Sequence, residues 1–167
     1  MFLPFYMAPG LAIKGLMPRH FSFSAFALAT VAMEIEPLYR LWTYQSPLHG
    51  VSHTLTGALL IAILTALFGR AALGIFWRLF EKTGAMLENY AVTWTQVWSG
   101  ALLGAGSRLL LDAVMYPDVH PFAPITEANP LLMPTLDLSI LLACVLAGMG
   151  GMALMLARAA WQQYRAA

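Results

Sequence analysis

Long apolar runs separated by short polar clusters organise this chain, and they are too continuous to be amphipathic faces over a watery surface. Four runs are expected to form helices, at about residues 21–36, 49–69, 91–115 and 136–156. The second and fourth have the roughly 20 residues that a hydrocarbon core of about 30 Å requires. The third contains Trp94, Gln96, Trp98 and Arg108. Residues 1–18 are apolar, but Pro4 and Pro9 interrupt them and no basic residue precedes them. They read as an interfacial or re-entrant segment, not as a signal peptide or a full span. Between the second and third runs, Leu73, Phe76, Trp77, Leu79 and Phe80 alternate with Arg78, Glu81, Lys82 and Glu88. That pattern over Arg70 to Tyr90 predicts an amphipathic helix lying in the interface. The expected fold is an all-α membrane protein, a single domain over 1–167 with about four transmembrane helices.

Composition sharpens this class. Of 167 residues, 60% are hydrophobic and 10% charged, and the mean hydropathy is +0.70. A soluble domain carries roughly 25% charged residues, so an ordinary soluble enzyme is excluded. A net charge of +1 provides no basic stripe for nucleic acid. Membrane lipids are the partners this composition implies. The single cysteine, Cys144, sits in an apolar run and reads as a small buried hydrophobe.

Basic residues set the orientation. With four spans, Lys14, Arg19, Arg70, Arg78, Lys82, Arg158 and Arg165 share one side; Arg40 and Arg108 fall at the other. By the positive-inside rule both termini are expected to be cytoplasmic, as in a multi-pass protein of a bacterial inner membrane.

Candidate chemistry gathers at the opposite side. Glu34, Glu36, His49, His53, Arg108, Asp112, Asp118, His120 and Glu127 all lie at or beyond the outer ends of the runs. His49 and His53 are four apart; on one helix they share a face, a common metal-ligand arrangement. Ser46-Pro47 reads as the N-cap and first turn of that helix. Arg108 and Asp112 are also four apart, and ionisable groups at that depth face a partner or a wet cavity. Glu34 and Glu36 would diverge on a helix, but Pro37 is expected to unwind the chain there and let both turn inward. Bland readings stand beside each of these: an intrahelical salt bridge for Arg108 and Asp112, an interfacial His49, a solvated Glu34, loop positions for Asp118 and Glu127. Gly50-Val51-Ser52-His53-Thr54 lacks the last glycine of a nucleophile elbow, so serine catalysis is weakly supported.

The order of these motifs resembles the bacterial inner-membrane metal-dependent hydrolase family, which includes a LexA-regulated member. Ala32-Met33-Glu34-Ile35-Glu36-Pro37 stands where that family has a Pro-Asp-x-Asp motif. His49-Gly50-Val51-Ser52-His53-Thr54 stands for His-Arg-Gly-x-Thr-His-Ser, and Ser107-Arg108-Leu109-Leu110-Leu111-Asp112 for Ser-His-x-x-x-Asp. Tyr116 to Pro124 resembles the family's exit loop. The likeness covers roughly residues 30–125. Both acidic positions are Glu here, the histidine pair is one residue closer, and the third-span histidine is Arg108, which cannot bind a metal. The family's early histidine has no counterpart; Tyr6 is the nearest polar group.

The resemblance implies a divalent metal, zinc or manganese, held by Glu34, His49, His53 and Asp112, with Asp118 or His120 completing the set. Glu36 would act as a base or support the ligands from behind, and Arg108 would hold an anionic group of a lipid-like substrate. Two other classes compete. One is a non-enzymatic membrane subunit or ligand-binding protein whose polar cluster is structural. The other is a proton-coupled transporter, which four spans without a repeat would make only by oligomerising.

Overall fold

The computed structural model describes residues 3–81 and 92–166. Among them are five α-helices, two short 3-10 turns and no strand. The helices are α1 (Leu3–Leu16), α2 (Phe23–Trp42), α3 (Leu55–Glu81), α4 (Trp94–Met115) and α5 (Asp137–Ala166); the turns are Val51–His53 and Pro134–Leu136. Local chemistry places the helix starts. The Ser22 side chain caps α2 by accepting from the Ala25 N–H. Thr54 does the same for Gly57 at the start of α3. Thr93 and Gln96 form a reciprocal capping box at α4.

Three sequence expectations change here. First, α3 begins at Leu55, so His49 is in a loop and Ser46-Pro47 opens no helix. That loop is held from outside: Arg40 donates to the Pro47 carbonyl, and Asp118 accepts from the Leu48 and His49 N–H groups. Second, α2 runs through Pro37 to Trp42. The proline removes one helical N–H, but the Glu36–Arg40 pair brackets it within a single turn. Third, residues 70–81 continue α3 instead of forming a separate interfacial helix; the remainder of that predicted segment, 82–90, lies outside the described residues. Two helices are long and apolar enough to cross a membrane, over Leu55–Ala72 and Leu138–Arg165, fewer than the four expected.

Packing relies on small residues. Ala25, Ala29, Ala58, Ala62, Ala66, Ala101, Ala105 and Ala113 build the seam between α2, α3 and α4. Small side chains let backbones approach closely. Gly104 of α4 faces Phe26 of α2, and a Cβ there would lie 3.0 Å from the Phe26 Cα. Contacts pair Ser22 with Gly100, Phe26 with Gly104 and Glu34 with Arg108, so α2 and α4 run parallel. Leu28 meets Gly69 while Glu36 meets Ser52, so α3 runs against them.

The first helix packs chiefly on the last. Ala8 meets Gly148, Leu11 and Ala12 meet Gly151, and Arg158 donates to the Gly15 carbonyl. The order increases in both helices, so α1 and α5 also run parallel. Direction therefore alternates through the molecule, and Tyr6, the 43–54 loop and the end of α4 all come to one end.

Candidate metal centre

Asp112 sits at the middle of that end and is fully buried. It lies on the last turn of α4, one turn after Arg108, and the Arg108 Nε donates to its Oδ2 at 2.6 Å. The Tyr6 hydroxyl donates to Oδ1, reaching across from α1. The His53 Nε2 lies 3.0 Å from Oδ2. The Arg108 guanidinium stacks 3.5 Å over the Tyr6 ring and pairs through Nη2 with Glu34 on α2. Its Nη1 is buried with no partner.

His49 approaches from the loop. Its ring is edge-on to His53, with centroids 4.7 Å apart, and its other side faces Tyr116 at 4.9 Å. Both Asp118 oxygens lie 3.0 Å from the His49 Nδ1. Burial opposes the charge on Asp118, but hydrogen bonds from the His49 ring and backbone outweigh it and hold the carboxyl below its ordinary range. An ionised Asp118 fixes the His49 proton on Nδ1 and leaves Nε2 for the interior. The equivalent position on His53, Nδ1, lies 2.9 Å from the Ser52 hydroxyl. One atom from each of His49, His53 and Asp112 falls within 4.8 Å of the others, all three residues being buried.

This donor set fits a divalent cation. Two imidazoles and a carboxylate are borderline ligands of the kind zinc and manganese accept. Both rings have their far nitrogen anchored, which is how metal-binding histidines are usually oriented. The buried Asp112 and the partly exposed Glu34 and Asp118 outnumber Arg108 by two formal charges, which a dication would balance.

The structure thus brings together three of the four ligands expected from sequence. Glu34, the fourth, is engaged by Arg108 on the far side of that guanidinium. Glu36 faces away from Glu34, as two positions apart on a helix require. It accepts from the Val51 and Ser52 N–H groups at 3.2 and 2.7 Å, pairs with Arg40, and so clamps the turn that carries His53. Gly50 leaves room for this clamp: a Cβ there would lie 2.7 Å from the Arg40 Cζ and push the ends of the Arg40 and Glu36 side chains away from the turn. His120 is held elsewhere, by the Glu127 carbonyl. Sequence reasoning did not place Tyr6 or Ser52 in the site, and it gave Asp118 first to a loop. Only the run Gly50 to Thr54, already singled out, carried a signal for Ser52.

The chain matches no family model, no curated protein and no solved structure.

Proposed function

We propose that this protein is a membrane-embedded, metal-dependent hydrolase whose site lies at the outer membrane boundary and acts on a lipid or lipid-linked phosphate. The observation that carries the reading is the pair of histidines with Nδ1 anchored, by Asp118 and Ser52, the His53 Nε2 beside Asp112, and one ligand atom of each of the three residues within 4.8 Å of the others. His49, His53 and Asp112 would hold the ion. It would supply Lewis-acid activation of a scissile ester or phosphoester at neutral pH. Around it, Tyr6 and Arg108 hold the Asp112 carboxylate in place, and the unpartnered Arg108 Nη1 is a donor suited to an anionic substrate oxygen.

The membrane placement rests on what faces outward. Leu138, Leu142, Leu146, Met149, Leu156 and Trp161 of α5 are all more than half exposed, as are Leu59, Leu60 and Phe68 of α3. Two such faces on one small molecule exceed what water tolerates. A bilayer would cover them, with α2 and α4 as further spans. The seven basic residues Lys14, Arg19, Arg70, Arg78, Lys82, Arg158 and Arg165 keep the carboxyl end of α5 cytoplasmic. Because α1 runs parallel to α5, its amino end then lies on the outer side, opposite to the sequence expectation. Its 14 residues span about 21 Å, shorter than the bilayer core of about 30 Å.

A second reading has its own observation. His49–Asp118 and His53–Asp112 have the geometry of two ion pairs, which protonated histidines would form in a purely structural network of a membrane subunit. Elemental analysis of protein purified in mild detergent without chelator, wild type beside His53→Ala, separates the two. About one equivalent of zinc or manganese, lost in the variant, is the expected result. No metal in either, even after reconstitution with excess ion, would overturn the hydrolase in favour of the network.

A further inference from the structure

A groove of about 510 Å³ runs between α2 and α3, lined by Ala32, Ile35, Glu36, Tyr39, Ser52, Ile61, Leu64 and Thr65. That volume is in the range of small-molecule sites. Three of its four polar side chains lie at one end, Thr65 being the other. Glu36, Tyr39 and Ser52 lie at the level of the metal centre, and Ala32, Ile61, Leu64 and Thr65 extend away from it along the two helices. The far part lies within Leu55–Ala72, one of the two stretches able to cross a membrane.

In a bilayer a concave apolar surface is filled by whatever is adjacent, because an empty one forfeits dispersion contacts along its whole lining. Flexible hydrocarbon chains are what is adjacent there. The polar end decides how such a chain lies. The Glu36 carboxylate is already satisfied by Arg40 and two backbone N–H groups, so it repels no neutral ester and attracts no cation. Ser52 offers a hydroxyl, and that hydroxyl is bonded to the His53 Nδ1. A chain in the groove therefore brings its polar linkage within one side chain of the candidate ligands.

We propose that this groove seats one acyl chain of a glycerolipid, entering sideways from the bilayer, with its ester group beside Ser52. The inference deepens the hydrolase reading by naming the substrate class. It rests on the membrane placement and not on the metal.

The test uses the full-length protein in vesicles of phosphatidylethanolamine and phosphatidylglycerol containing a phosphatidylcholine with a photoactivatable diazirine on one acyl chain. After irradiation, labelled positions are mapped by peptide mass spectrometry. Ala32, Ile35, Ile61 and Leu64 are expected to label above Leu142, Leu146 and Met149 on the exposed face of α5. Ile61→Trp, which fills the groove, should reduce labelling at Ala32 and Ile35 to the α5 level while the α5 label stays unchanged. Leu64→Trp is the parallel variant if the first does not fold. The wild type alone already decides: labelling of the groove no greater than that of α5 overturns the proposal, as does groove labelling that either folded variant leaves intact. Metal content measured on the same preparation keeps the two ideas apart. Selective labelling without metal would leave the acyl site standing and remove the hydrolase; metal without selective labelling would do the reverse.

Discussion

Arg108 shows how much one side chain can be asked to hold. It is 3% exposed and lies between two carboxylates on different helices, Glu34 on α2 and Asp112 on its own α4. Truncating it removes the cation that both share and leaves Asp112 to Tyr6 and His53. Arg108→Ala should lower stability by about 3–5 kcal/mol, the usual result of breaking a buried ion pair from one side. Arg108→Met combined with Glu34→Gln should cost clearly less; unfolding in detergent followed by circular dichroism measures the difference, and equal losses would refute the pairing. Asp118 acts at one remove. Asp118→Asn should weaken zinc binding by about 10–100-fold without changing stoichiometry at saturation, as loss of an orienting carboxylate does elsewhere. Competition against a chelating dye reports this. Asp112 and Arg108 were legible as a pair because four residues on a helix fix their geometry. Tyr6 was not, since its meeting with Asp112 crosses 106 positions and depends on how α1 docks.

At the scale of elements, the histidine pair was legible in type but not in cause. The spacing of four suggested one helical face, yet the chain turns through a 3-10 segment and His49 never enters a helix. What joins the rings is the grip of Glu36, paired with Arg40, on residues 51–52 from one side and of Asp118 on residues 48–49 from the other. No periodicity reports such a brace. Gly50→Val should therefore abolish metal binding while leaving total helix content nearly unchanged, since no helix contains residue 50. A variant that still loads one equivalent would show that the clamp is dispensable. Residues 70–81 were misjudged for a related reason. Their mixed pattern suits an interface, but an established helix extends more easily than a new one nucleates, and α3 simply continues.

For the whole molecule, alternating helix directions place the amino end of α1 and the carboxyl end of α5 at opposite ends. Single cysteines introduced at Pro4 and Arg165, in a Cys144→Ala background, should react with a membrane-impermeant maleimide from opposite sides of oriented vesicles. Labelling of both from the same side would overturn this arrangement. The all-helical class was legible in the long apolar runs, and two of the four expected spans have the length and hydropathy to cross a membrane. The parallel seam of α1 on α5 was not readable, because glycines at 15, 148 and 151 mark close contact without naming the partner. That seam also bears on how the protein is made. In chain order α2, α3 and α4 are all made between α1 and α5, so α1 meets its principal neighbour only after those three helices exist. Tyr6 reaches Asp112 from that helix. The packing behind Tyr6 is thus complete only once α5 has been made, and a nascent chain released before α5 would carry both histidines and Asp112 without the main support of the helix that brings Tyr6 to them.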